Sequence, residues 1–343
     1  MYSLAKPFLF RLDSEQAHGL GLKAIEAAYR AGLNPLLASK PPRLTTKAFG
    51  IEFANPVGLA AGLDKNAEYV DSLARLGFGF IEVGTVTPRP QPGNARPRMF
   101  RLPSASAVIN RLGFNNVGAD AFVENLRRTS WRGVLGINIG KNFDTPNERA
   151  ADDYAACLER VYRHASYVTV NVSSPNTAGL RALQEKDALE VLLRRLTELR
   201  ERLADQHGRK VPLALKVSPD LAPQEIVDIS DSVRRHRIDA LIATNTSLSR
   251  EGVEGLLCAD EAGGLSGAPI RERATRVLAA FAGALKGEVP LIGAGGILRS
   301  EDAQEKFAAG ASLVQLYTGL IYRGPELVCE CVRKLTPAQQ VAA

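Results

Sequence analysis

From residue 55 onward, short apolar runs alternate with amphipathic stretches of helical length. The runs are "NPVGLAAG" (55–62), "FIEVGTVT" (80–87), "VLGINIG" (134–140), "YVTVNVS" (167–173), "PLALKVS" (212–218), "ALIATNTS" (240–247), "PLIGAGGI" (290–297) and "SLVQLYTG" (312–319). Between them the periodicity predicts helices over 66–76, 151–164, 185–206, 223–236, 269–286 and 300–309. Such alternation implies a parallel sheet, because parallel strands need long crossover connections. Eight units predict an α/β fold of the (β/α)8, or TIM-barrel, type, with its active site in the loops after the strands. An open doubly wound sheet is the alternative for the same pattern.

Side-chain parity within the runs favours the barrel. Ile137 and Ile139 share one face of the third run, while Gly136, Asn138 and Gly140 share the other. Val168, Val170 and Val172 oppose Thr169, Asn171 and Ser173, and Leu213, Leu215 and Val217 oppose Ala214, Lys216 and Ser218. Strands with unlike faces alternate in this way. The branched faces are expected to pack on helices and the small, polar faces to point into the barrel. Lys216, among apolar neighbours, needs a ligand or a carboxylate, since burying an unpaired ammonium is costly.

The first forty residues follow another pattern. Asp13 and Gln16 have the spacing of an N-cap and its partner, which predicts a helix over about 14–31. Before it, "YSLAKPFLF" is apolar but too short to span a bilayer. "NPLLASKPPR" marks a linker, giving an N-terminal helical segment (1–40) and a barrel (41–343). The segment either packs on the barrel or is an interfacial amphipathic element.

Composition narrows the picture only slightly. With 45% hydrophobic and 23% charged residues, the chain reads as globular. No apolar run reaches about eighteen residues, and the N-terminus lacks a secretory signal pattern. The four cysteines (Cys157, Cys258, Cys329 and Cys331) show no metal or redox spacing except C-x-C at 329–331, so no metal is expected and free thiols in a reducing cytoplasm are. A net charge of +6, with no basic run or basic-aromatic stripe, argues against nucleic acid as a partner.

The chemistry lies at the strand ends. "GAGGI" (293–297) and "YTGLI" (317–321) follow the seventh and eighth strands, with "GGLSG" (263–267) upstream. In barrels the loops after those two strands often hold a phosphate. Asn110, Asn138, Asn171, Asn176 and Asn245 fall at or just beyond strand ends. Carboxamides offer both donors and an acceptor, which suits a heterocycle with amide-like edges. Lys65, in "AAGLDKN", can pair with a carboxylate or phosphate. "NVSSPNTAGLRAL" (171–183) puts two serines at a strand tip. A serine nucleophile needs a base beside it, yet none of His18, His164, His207 and His236 is at a strand end, and no G-x-S-x-G elbow exists.

"NPVGLAAGLDKN", "EVGTVTPRPQPGNARPRMFRL", "INRLGFNN", "LGINIGKN", "NVSSPNTAGLRALQ", "GGLSG" and "FAAGASLVQLYTGL" together resemble the quinone-dependent (class 2) dihydroorotate dehydrogenases. The resemblance runs nearly end to end and includes the N-terminal extension. It implies an FMN enzyme of pyrimidine biosynthesis that oxidises (S)-dihydroorotate to orotate. Electrons would pass to ubiquinone or menaquinone at the cytoplasmic face of the inner membrane, where the chain would sit peripherally as a monomer.

Residue by residue, the resemblance implies FMN held by Ala61, Gly62, Leu63, Asp64, Lys65, Thr85, Asn138, Asn171, Lys216 and Thr244. The FMN phosphate would meet backbone at Gly267, Gly296, Tyr317 and Thr318. Substrate contacts would come from Lys65, Asn110, Arg111, Leu112, Gly113, Phe114, Asn171, Asn176, Asn245 and Thr246. Ser174 would be the base for the C5 proton, relayed through Thr177 and an ordered water. The N-terminal segment would be a two-helix lid in the membrane surface, with His18, Arg101 and Tyr317 near the quinone head. Three rivals are a class 1 enzyme, a tRNA dihydrouridine synthase and a non-catalytic phosphate-binding barrel. A class 1 enzyme would carry cysteine as base where this chain has Ser174 and would lack the extension. A tRNA dihydrouridine synthase would use a cysteine acid, and the mild charge and missing RNA-binding appendage argue against it; a phosphate-binding barrel would carry no flavin.

Overall fold

The computed structural model describes residues 2–336. Helices α1 (Tyr2–Leu9) and α2 (Ser14–Arg30) come first, then a hairpin of β1 (Thr46–Ala48) and β2 (Ile51–Phe53). Next are β3 (Val57–Leu59), α3 (Val70–Ala74), β4 (Phe80–Val86), β5 (Met99–Leu102), β6 (Ala107–Asn110), α4 (Ala119–Arg128), β7 (Val134–Ile139) and α5 (Ala150–Val161). Then follow β8 (Tyr167–Asn171), α6 (Lys186–His207), β9 (Leu213–Val217), α7 (Pro223–Arg235), β10 (Ala240–Ala243) and β11 (Gly264–Gly267). The chain continues through α8 (Arg271–Leu285), β12 (Leu291–Ala294), α9 (Ser300–Ala308), β13 (Ala311–Leu316), α10 (Thr318–Arg323) and α11 (Glu326–Leu335).

Strands β3, β4, β7, β8, β9, β10, β12 and β13 close into a ring in that order, with β13 returning to β3. Every pairing in the ring is parallel. These are the eight apolar runs, and closure excludes the open sheet. The parity also holds: Ile137, Val168, Val170, Leu213 and Leu215 pack with helical residues such as Leu158, Leu193 and Ile229. Inside, Phe80, Tyr167, Ala214, Ala240, Ile242, Ile292 and Leu313 fill the end where the strands begin. The β1–β2 hairpin plugs that end, with the Phe53 ring edge-on to Phe80 at 5.1 Å.

The helices follow their apolar stripes. In α6, Leu189, Leu192, Leu193, Leu196, Leu199 and Leu203 are buried, as three- and four-residue spacing dictates. Five of the expected barrel helices lie within three residues of their expected ends, but 66–76 does not. Only Val70–Ala74 is helical there. The Asp64 carboxylate takes the N–H groups of Asn66, Glu68 and Tyr69, and Ala67 has φ +58, so the expected first turn is a loop.

A three-stranded antiparallel sheet, ordered β11–β6–β5, lies outside the barrel and has no counterpart in the sequence reading. Asn110 therefore ends a strand of this added sheet, not of the barrel. The N-terminal helices pack nearby, α2 against β5 and α3, and α1 against α10. Asp13 Oδ1 caps α2 through the N–H groups of Glu15 (2.9 Å) and Gln16 (3.0 Å). No helix among the described residues is long and apolar enough to cross a membrane.

Candidate active site

One cavity opens where the barrel strands end. Ala60, Thr85, Asn171, Lys216, Thr244, Ala294 and Tyr317 line it from the ends of seven strands. Loop residues Ala61, Gly62 and Lys65 join them, as do Leu112, Gly113 and Phe114 beyond β6. Asn110, Ser174, Asn176, Asn245, Thr246, Gly267, Gly296 and Thr318 complete the set read from the sequence. Most of the candidate cofactor and substrate residues thus share one space.

Five of the cofactor, substrate and relay candidates do not line it. Asn138 is fully buried one layer below, where Thr85 Oγ1 and Asn171 Nδ2 donate to its Oδ1. Asp64 is buried as the anchor of the 64–69 turn, which presents Lys65, and burial raises its carboxyl to about 6. Arg111 turns outward to Glu261 (2.6 Å) and the Pro97 carbonyl (2.9 Å), with its guanidinium over the Phe100 ring. Leu63 faces a second cavity. Thr177, in the same loop as Ser174, is buried, and its Oγ1 has no hydrogen-bond partner.

The asparagines form a connected network. Asn245 Nδ2 donates to Ser173 Oγ at 3.0 Å, and Ser173 Oγ donates to Asn171 Oδ1 at 3.0 Å. Asn176 Nδ2 donates to Asn110 Oδ1 at 3.1 Å. Ser173 thus ties the ends of β8 and β10 together, which is more than a turn hydroxyl. Ser174 is buried, and its Oγ accepts the Asn176 N–H at 3.3 Å. No histidine lines the cavity among the described residues. His236 binds Glu190, His207 stacks on Tyr162, and His18 lies in the second cavity.

Two lysines set the electrostatics. Burial lowers the pKa of Lys65 to about 8, against the raising effect of Glu15 and Asp64. Burial also lowers that of Lys216, and Glu82 partly offsets it. Glu82 went unnoticed in the sequence. It is fully buried inside the barrel and accepts from Asn138 Nδ2 (2.8 Å), Tyr167 Oη (2.9 Å) and Gln315 Nε2 (2.7 Å). Its place in "FIEVGTVT", on the same parity as Phe80 and Gly84, was the available signal. Ser266, Gln315 and Gly295 also line the cavity and were missed.

A second cavity of about 290 Å³ lies between α1, α2, β5 and α10. Leu9, Phe10, Leu22, Ile25, Leu63 and Met99 make it mainly apolar, with His18 and Arg101 among its polar groups. Burial and the Lys65 charge lower the His18 pKa to about 3, so its imidazole is neutral. Arg101 is already engaged, donating to Ser14 Oγ (3.0 Å) and to the Leu9 carbonyl (2.9 Å). Tyr317 is not brought to this cavity. It lines the first one, and burial raises its phenol to about 12. Gly62 lines the first cavity and Leu63 the second, so one peptide link separates them.

The barrel thus pairs a polar, glycine-walled mouth with an adjoining apolar chamber. The family model for dihydroorotate dehydrogenase matches residues 43–338. The chain is 59% identical over 335 residues to the dihydroorotate dehydrogenase (quinone) of Methylobacillus flagellatus, covering 98% of this chain and 99% of that one. It is 60% identical over 334 residues to that of an Azoarcus species, covering 97% and 98%. The crystal structure of DHODH in complex with ferulenol from Eimeria tenella superposes with a TM-score of 0.86 at 37% identity, covering 94% of this chain and 90% of that one. The chain belongs to the dihydroorotate dehydrogenase family, whose members are flavin-dependent.

Proposed function

We infer that the chain oxidises dihydroorotate to orotate in pyrimidine biosynthesis and delivers the electrons to a quinone. The observation that carries this is the pair of cavities one peptide link apart, polar at Gly62 and apolar at Leu63. Such an arrangement separates a charged pyrimidine from a lipophilic acceptor while keeping both near one redox group.

The cofactor is FMN, a reading supported by two features of the mouth. Glycine at 296 has φ +78, and a Cβ there would lie 2.3 Å from Arg271 Cα, leaving backbone open to a phosphate. Deeper in, Gln315 Oε1, Asn176 Oδ1 and Thr246 Oγ1 are buried without partners, so polar edges are wanting a ligand. Gly267, Gly296, Tyr317 and Thr318 would hold the phosphate, and Thr85, Asn171, Lys216 and Thr244 the ring. A flavin held there would supply the acceptor for the hydride at C6 of dihydroorotate.

The chain's own residues do the rest. Lys65 pairs with the substrate carboxylate, and Asn110, Asn171, Asn176 and Asn245 read the ring's amide edges. Ser174 Oγ takes the C5 proton, which the neighbouring carbonyl acidifies. Its own proton would leave through a relay of Thr177 and an ordered water; the Thr177 hydroxyl is buried without a hydrogen-bond partner. Lys216 offsets negative charge developing at the cofactor, as a fixed cation in a dry site can.

The N-terminal segment, 1–40, serves as a lid for the quinone on a membrane surface. Leu4, Phe8, Leu20, Leu33 and Leu36, five of the ten exposed large apolar side chains among the described residues, fall within it. The enzyme works as a monomer on the inner face of the cell membrane. A steady-state comparison of quinone, fumarate and NAD as acceptors for dihydroorotate oxidation tests the function. Quinone should support turnover and the others should not; turnover with fumarate or NAD alone would replace the quinone reading.

A further inference from the structure

An ion pair connects the N-terminal helices to the substrate side of the first cavity. Glu15, in the first turn of α2, accepts from Arg98 Nη2 at 2.7 Å and Nε at 3.1 Å, and from Arg96 Nη2 at 3.0 Å. Arg98 is only 5% exposed, and its remaining arm, Nη1, donates to the carbonyls of Pro92 (2.6 Å) and Asn94 (2.9 Å). Asn94 then grips the substrate segment. Its N–H bonds the Leu112 carbonyl at 3.1 Å, and its Nδ2 bonds the carbonyls of Arg111 (2.9 Å) and Asn176 (3.1 Å). Gly93 has φ +75, and a Cβ there would lie 2.2 Å from the Leu112 carbonyl, so the turn sits flush on that segment.

We propose that Glu15 and Arg98 are positioning residues for dihydroorotate, holding residues 110–114 and Asn176 in their binding shape through the 92–94 turn. This rests on the substrate reading above. A buried guanidinium that loses its carboxylate must find other acceptors. Its Nη1 already holds the Pro92 and Asn94 carbonyls, so as the guanidinium reorients, the turn, and the wall it carries, would shift with it. Neither residue touches the first cavity, and both sit at the base of the quinone lid. The lid's anchoring thereby reaches the pyrimidine site.

The same carboxylate acts on the cavity's charge. Glu15 and Asp64 raise the Lys65 pKa, Arg98 lowers it, and His18 beside it is neutral above about pH 3. Lys65 binds orotate in its charged form, so affinity in the wild type should fall as pH rises through about 8. Removing the Glu15 charge while keeping Arg98 takes away a raising influence. The alkaline loss of affinity should then begin at lower pH.

Orotate titrations of the flavin-loaded full-length enzyme, followed by flavin absorbance from pH 6 to 9, test this with Glu15→Gln and Arg98→Lys. Both variants should bind orotate about tenfold or more weakly at pH 7, and the rate of flavin reduction at saturating dihydroorotate should fall less than affinity does. Only Glu15→Gln should move the alkaline limb to lower pH, because Arg98→Lys keeps the charge and loses the fork. Orotate affinity within twofold of wild type in both, with an unmoved pH profile, overturns the proposal. If Glu15→Gln fails to fold, Glu15→Asp decides: affinity between wild type and Arg98→Lys supports it, and wild-type affinity overturns it. A wild-type enzyme that neither binds orotate nor oxidises dihydroorotate would instead remove the functional reading itself.

Discussion

Ser174 has a buried hydroxyl, one bond from the Asn176 N–H, and no histidine or carboxylate that could make it a nucleophile. Around it, Asn171, Ser173 and Asn245 are locked to each other, so Ser174 is held by a rigid strand tip. Such a hydroxyl can take a proton only as it gives up its own. Ser174→Ala should therefore slow flavin reduction by dihydroorotate about 10²- to 10⁴-fold, the usual weight of a positioned base. The bound flavin should remain reducible by dithionite, and stopped-flow absorbance would read both. An unaltered reduction rate would assign the proton to another group. At this scale the sequence was legible wherever parity and a strand end coincided, as at Asn171 and Lys216. It was silent on Glu82, because one carboxylate in an apolar run gives no sign of the three donors that satisfy it. Asn138 was legible as inward-facing but not as a support lying beneath Thr85 and Asn171, since depth along a strand depends on the neighbouring strands' register.

Between elements, the loops after β12 and β13 do what neither strand could do alone. The backbone at Gly296 passes so close to the first residue of α8 that only hydrogen fits on its Cα. Gly296→Ala would meet both a clash with Arg271 and the strain of φ +78 in a residue that has a Cβ. The loop should move off the phosphate, weakening FMN by about tenfold or more, on the order of 1.4 kcal/mol. Flavin content after purification and titration of the apoprotein with FMN would measure it. A variant with full, tightly held flavin would place the phosphate elsewhere. The eight barrel strands were readable because each is an apolar run bounded by a helix. The sheet of β5, β6 and β11 was not, since its strands are only four residues long and β6 pairs with β11 far along the chain (Ala107 with Gly267), which leaves no local period. The 66–76 helix failed for a different reason: Ala67 is left-handed, with φ +58, in a turn that the Asp64 carboxylate fastens through the N–H groups of Glu68 and Tyr69, so helix begins only at Val70.

The whole molecule has a polarity that no single element shows. Leu4 is 84% exposed and Phe8 61%, while the lining of the second cavity begins at Tyr2, Ala5 and Leu9 on the same short helix. One set of α1 side chains thus faces the chamber and the other faces solvent, with Leu20, Leu33 and Leu36 continuing the outer set. A helix apolar on both sides is expensive in water, but not where one side enters lipid. Burying Leu4 and Phe8 is worth roughly 3 kcal/mol or more, counting about 1.5–3 for each side chain. Neither Leu4 nor Phe8 lines a cavity, and α1 has no buried residue, so replacing both by glutamate removes that gain and leaves the cavity linings unchanged. The double variant should lose liposome binding by at least about 100-fold, the equivalent of roughly 3 kcal/mol. Its turnover should fall with long-chain quinone in vesicles and hold with a short, water-soluble quinone, because the chamber behind α1 is intact. Cosedimentation with anionic liposomes and parallel assays with the two quinones would separate these outcomes. Equal loss with both acceptors would mean that α1 shapes the chamber and does not seat the enzyme on a membrane.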